Sequence, residues 1–119
     1  MADTLNFTLS SSIVTGATTQ NGPPFTFTDT NISQRLLDKI AIAASQTDFQ
    51  VSLDGITATY LILKFDGSVS VKLNGTGNTA ITLTASAAHP AALVLVGGAV
   101  TSVHVTTTAA VTCERLIAA

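Results

Sequence analysis

The sequence predicts an all-β fold, an antiparallel β-sandwich or jelly-roll-like domain of about eight to ten short strands. Three observations carry this reading. From Ile56 to Ala119, runs of β-branched and aliphatic residues alternate with Ser, Thr or Gly. Asp-Gly, Asn-Gly and Gly-Gly pairs punctuate those runs at short, regular spacing. Thr and Ser make up about a quarter of the chain, a bias that suits strands on the Thr side and turns on the Ser side. At 119 residues the chain is read as one β-sandwich domain spanning residues 1–119, with residues 1–30 as an N-terminal arm or hairpin.

The first element is a half-buried strand over Thr4–Val14, where Leu5, Phe7, Leu9 and Ile13 share a face. Residues 15–24 hold Gly16, Asn21-Gly22 and Pro23-Pro24, and read as a loop too rich in breakers for regular structure. Phe25 to Thr28 restarts a period of two, so the start of the chain reads as a hairpin with a long tip. The stretch from Ile32 to Ala44 fits two periods. Ile32, Leu36, Leu37, Ile40, Ala43 and Ala44 make a helical stripe with Asp29 or Ser33 as N-cap. Read as a strand, Leu36, Ile40, Ile42 and Ala44 point inward, with Asp38 the misfit. The strand is favoured because its neighbours are all strands and helix propensity yields to context.

Phe49 to Leu53 is the next strand, closed by Asp54-Gly55. Ile56–Phe65 follows, and its middle, Tyr60 to Leu63, is apolar at consecutive positions. Such a strand is central in its sheet and covered on its second face by a loop, a helix or a neighbouring subunit. Asp66-Gly67 reads as a hairpin turn into Ser68–Leu73, where Val69, Val71 and Leu73 alternate with Ser68, Ser70 and Lys72. Asn74 to Asn78 turns the chain into Ala80–Ala85, and His89-Pro90 leads to Ala91–Val96. Gly97-Gly98 reads as a further turn into Val100–Thr107, and Ala109-Ala110 separates that strand from Val111–Ile117.

Composition narrows the function classes. Only 10% of residues are charged, against the usual roughly 25%. The five basic residues, Arg35, Lys39, Lys64, Lys72 and Arg115, are scattered rather than clustered, which argues against a phosphate-reading patch and nucleic-acid binding. Met-Ala-Asp-Thr at the start lacks the basic and apolar segments of a signal peptide, and no apolar run is long enough to span a bilayer as a helix. Synthesis in a cytoplasm and no membrane association are expected. The single Cys113 cannot form an internal disulfide, so stability must come from packing or partners. Three glycosylation triplets begin at Asn6, Asn31 and Asn74, and without a secretory signal they are read as chance matches.

No catalytic set has supporting spacing. Cys113 shares an inward face with Val111 and reads as a small core hydrophobe, while His104 lies on the Thr-rich face of its own strand. Asp54 and Asp66 each precede glycine, and a turn explains both. No Asp-x-Asp run gathers calcium ligands, and zinc would need His89, His104 and Cys113 to converge from separate strands. Asn74-Gly-Thr-Gly-Asn78 lacks the helix and lysine of a phosphate loop. A sugar platform is weak with no Trp and one Tyr, Tyr60. The residues therefore argue for binding without catalysis, with no cofactor, no metal and no small-molecule substrate.

Two segments carry a family likeness. One is Val51-Ser-Leu-Asp-Gly-Ile-Thr-Ala-Thr-Tyr-Leu-Ile-Leu-Lys-Phe-Asp-Gly-Ser-Val-Ser-Val-Lys-Leu-Asn-Gly75, and the other is Leu93-Val-Leu-Val-Gly-Gly-Ala-Val-Thr-Ser-Val-His-Val-Thr106. In pattern they resemble small β-sandwich virion proteins of tailed bacteriophages, which decorate or cement capsids or sit at the neck and tail. The likeness covers roughly the C-terminal two thirds of the chain. It implies a non-enzymatic structural protein of the virion, made in the host cytoplasm, a homo-oligomer whose partner is the major capsid protein or another virion protein. A neck, tail or fibre component and a carbohydrate-binding or adhesin module stand as alternatives. Extended segments can add to a neighbour's sheet edge. The expected interaction residues are therefore Thr4, Leu5, Phe7 and Leu9 of the first strand with Pro23, Pro24, Phe25 and Phe27.

Overall fold

The computed structural model describes residues 2–119, all strand, turn or loop among those described. Twelve strands follow in order: β1 (Asp3–Leu9), β2 (Ser12–Thr15), β3 (Thr18–Asn21), β4 (Phe25–Ile32), β5 (Arg35–Ile42), β6 (Phe49–Val51), β7 (Ala58–Phe65), β8 (Val69–Leu73), β9 (Ile81–Leu83), β10 (Ala91–Val100), β11 (Val103–Thr107) and β12 (Val111–Ala118). The chain divides into two compact units, one ending at Ser33 and one running from Gln34 to Ala119.

The first unit is a two-stranded ribbon. β1 pairs antiparallel with β4, and β2 pairs with β3 beyond them, joined by a backbone bond from Gly22 N–H to Ser11 C=O. The expected single strand over Thr4–Val14 is thus two, broken at Ser10-Ser11. The stretch 15–24 holds a strand after all. Gly16 has φ +60° while Ala17 does not enter the left-handed region, the pattern of a two-residue II′ turn, which matches the twist of the strands it joins. One tight glycine turn was enough to pair Thr18–Asn21 with Ser12–Thr15.

The second unit is an antiparallel β-sandwich of two four-stranded sheets. Sheet I has the order β10-β7-β12-β5 and sheet II the order β6-β11-β8-β9. One core lies between their inner faces. Leu61, Leu63, Phe65, Val111, Cys113 and Ile117 from sheet I and Val51, Val69, Val71, Val103 and Val105 from sheet II are buried in a single cluster. Strand β5 settles the double periodicity in favour of the strand, with Leu36 and Ile40 half-buried and Ile42 buried. Strand β7 is central, flanked by β10 and β12, as its apolar middle requires.

Two turn expectations need correction. Asp66-Gly67 does not close a hairpin, because β7 lies in sheet I and β8 in sheet II, where β8 pairs with β11 and β9. Neither residue has the positive φ that a type I′ turn demands. Asp66 is instead stitched to β12: its carboxylate accepts the Thr112 N–H at 2.8 Å and its own N–H donates to the Thr112 C=O. A Cβ on Gly67 would stand 2.7 Å from Val111 Cγ1, so glycine here allows close approach between the arch and the next strand. Gly97-Gly98 is not a turn either. Strand β10 runs through it, and the register to β7 shifts between Val96 and Val100 with Gly97 at φ +79°, the signature of a glycine bulge.

The real crossovers between sheets carry their own fixings. Asp54 and Gly55, at φ 51° and 79°, form a tight turn closed by Ile56 N–H to Leu53 C=O at 2.9 Å. Asn74, at φ 62°, accepts the Thr101 N–H on its side-chain oxygen at 2.7 Å and donates its amide to the Ala99 C=O. That side chain ties the exit of β8 to the β10–β11 connection.

Candidate interaction surfaces

In the ribbon, the register places Phe7 opposite Phe27, Leu9 opposite Phe25 and Leu5 opposite Asp29. Side chains on one face of a strand recur every second residue, so Leu5, Phe7, Leu9, Phe25 and Phe27 form one stripe. Phe7 stacks on Phe27 with ring centroids 5.2 Å apart, and Phe25 meets both edge-on at 5.9 and 5.7 Å. Phe7 is buried, but Leu9 and Phe25 remain 51% and 47% exposed. The opposite face is polar, with Asn6 accepting from the Thr28 hydroxyl at 3.1 Å. Thr4 is exposed at the register shift between Asp3 and Leu5, and Pro23 and Pro24 are exposed in the β3–β4 connection, away from the aromatic stripe. Of the eight expected interaction residues, five therefore share the stripe and three lie off it.

Sheet I carries a second apolar surface, on the face turned away from the core. The registers align Val94, Ile62, Leu116 and Leu37 in one row across all four strands. The adjacent row is Val96, Tyr60, Ala118 and Arg35. Leu37 is 75% exposed and Val94 42% exposed, while Ile62 and Leu116 are half-buried by their neighbours. On the other side of the apolar row stand Ala92, Lys64, Glu114 and Lys39. Lys39 Nζ lies 3.7 Å from Glu114 Oε1. Leu37, Ile62 and Leu116 line a shallow depression of ≈ 380 Å³ rimmed by Lys39, Lys64 and Glu114.

The outer face of sheet II has the opposite character. Gln50, His104, Lys72 and Ser70 with Thr106 and Thr82 point outward there. Asp48 draws this face together, with its carboxylate 3.2 Å from Lys72 Nζ and its N–H donated to the Thr106 hydroxyl.

Sheet I also holds an ion pair on its inner side. Asp38 and Arg115 are direct cross-strand partners, and the Arg115 guanidinium grips both carboxylate oxygens, with Nη2 to Oδ2 at 3.1 Å, while Nη1 donates to the Ser52 C=O. The hydrogen bond from Arg115 holds the Asp38 carboxyl below its ordinary value, and the same bond raises Arg115 further. The charge that disturbed the strand pattern at Asp38 is thus answered by the one cation whose side chain is buried.

Cys113 and His104 lie on different sheets. Cys113 is fully buried on the inner face of sheet I, and desolvation pushes its thiol up to about 11. His104 belongs to the outer face of sheet II. Asp54 and Asp66 hold turns, as described. Among the described residues, no three His, Cys, Asp or Glu side chains gather as a metal site. Sequence reasoning placed the binding stripe of the ribbon but missed the sheet I row, although the continuous apolar run Tyr60–Leu63 was its signal. No protein-family model, curated protein or solved structure gives a significant match to this chain.

Proposed function

We propose that this chain is a non-enzymatic structural subunit of a bacteriophage virion, a capsid decoration or cement protein that stabilises the shell through repeated subunit contacts. The observation that carries this reading is the ribbon. A two-stranded hairpin is at best marginally stable alone in water, and this one exposes Leu9 and Phe25 on an aromatic stripe. A partner surface that covers the stripe supplies the burial the hairpin lacks. The low charge of the chain also supports the reading, since charged residues are depleted at the centre of protein interfaces. The resemblance in Val51–Gly75 and Leu93–Thr106 supplies the virion context.

Quantitative mass spectrometry of purified particles against the major shell protein tests the reading. Hundreds of copies per particle support a decoration role. About a dozen would move the chain to the neck or tail, and absence from particles would overturn the virion reading altogether.

A further inference from the structure

We propose that the ribbon of one copy lies across the apolar outer row of sheet I of a second copy, so that the chain assembles by arm exchange. This rests on the reading of the chain as a repeated structural subunit and names its first partner as itself.

Two dimensions agree. From Leu5 to Leu9 the stripe runs about 14 Å along the ribbon, at roughly 3.4 Å per residue. From Val94 to Leu37 the apolar row crosses three strand spacings, again about 14 Å at roughly 4.8 Å each. The ribbon therefore fits when it crosses the strands, the orthogonal mode of sheet packing. In that pose its exposed Leu9 and Phe25 meet the exposed Val94 and Leu37 row.

Charge agrees as well. Asp3 and Asp29 are the charged residues of the first 33, so the formal net charge of −2 belongs wholly to the ribbon. The sheet I outer face carries Arg35, Lys39 and Lys64 against Glu114. The charges also set a direction. Asp29 sits at the Leu5 end of the stripe, and the Leu9–Phe25 end is neutral. Strand β10 has no charged residue between Ala91 and Val100, while β5 brings Arg35 and Lys39. The acidic end of the ribbon thus lies toward β5 and the neutral end over β10.

A second copy is the occupant because the tether is short. Only Ser33 separates the end of β4 at Ile32 from Gln34, whose backbone is bonded both ways to Ala119 at 3.1 and 3.0 Å.

The test is cross-linking between two differently marked proteins. Phe25→Cys chains are mixed with Val94→Cys chains and treated with a short bis-maleimide, with Leu9→Cys as a second reporter on the ribbon. Cys113 stays in place because it is fully buried. The expected result is a two-chain product with Val94→Cys from both ribbon reporters. Replacing Val94→Cys by Gln50→Cys, on the outer face of sheet II, should cut the yield at least tenfold. No two-chain product, or equal yield with Gln50→Cys, overturns arm exchange. High copy number in particles together with failed cross-linking would sink this inference while leaving the structural role standing.

Discussion

The two sheets of the sandwich invert each other's chemistry. Sheet II is built in the ordinary way, with Val51, Val69, Val71, Val103 and Val105 inside and Gln50, Ser70, Lys72, Thr82 and His104 outside. Sheet I puts Asp38 and Arg115 on its inner side and turns Val94, Ile62, Leu116 and Leu37 outward. An antiparallel sheet with one wet face normally reads as clean alternation of apolar and polar residues. Strand β7 breaks that rule at Tyr60 and Ile62, and β12 breaks it at Leu116. The difference teaches that one side of this sandwich is made for water and the other for another protein surface.

The largest effect expected from breaking the comparison lies in the core the sheets share. Phe65→Ala should destabilise the protein by about 3–5 kcal/mol, because it removes a fully buried ring and leaves a cavity. Chemical denaturation monitored by circular dichroism reads it. If Leu37→Ala costs as much, the two faces of sheet I are energetically alike and the comparison fails.

Next is the ion pair. Arg115→Ala removes both bonds to Asp38 and the bond to the Ser52 C=O, with an expected cost of about 2 kcal/mol. The figure lies below that of a fully buried pair because Asp38 is partly exposed, and solvent screens it. Arg115→Met should recover part of the loss if packing against the core is half of the role of the arginine.

A smaller effect follows from pH. The folded carboxyl of Asp38 is held below its ordinary 3.8 by the Arg115 hydrogen bond, so its contribution is complete above that value. As pH falls through the lower folded value, Asp38 takes up a proton and the contribution is lost. Thermal melts between pH 6 and 2 should therefore steepen in the wild type relative to Asp38→Asn. Parallel curves would show that the pair does not govern acid stability.

Much of the fold was legible because strand periodicity is local. Leu36, Ile40 and Ile42 announced β5, and alternation at Val69, Val71 and Leu73 announced β8. What stayed hidden was partner choice. Asp66-Gly67 and Gly97-Gly98 signal a chain that bends, but a dipeptide carries no information on whether the next strand pairs or crosses to another sheet. The first became an arch held by Thr112 and the close approach to Val111, the second a bulge within β10. The Asp38 misfit was visible in sequence, yet its answer lay 77 residues away on β12. The apolar outer row escaped notice for a similar reason. Leu37, Ile62, Val94 and Leu116 come from four strands, and only the register brings them into line.

The central claim is that the outer face of sheet I is covered by another copy and that of sheet II is not. Sedimentation equilibrium of the wild type, Leu37→Asp and Gln50→Asp measures it most directly. Both aspartates sit on exposed strand positions, so each should leave stability within about 0.5 kcal/mol of wild type. The account expects wild type and Gln50→Asp to associate alike and Leu37→Asp to weaken association at least tenfold. A monomeric wild type, or association that Leu37→Asp leaves untouched, would contradict it.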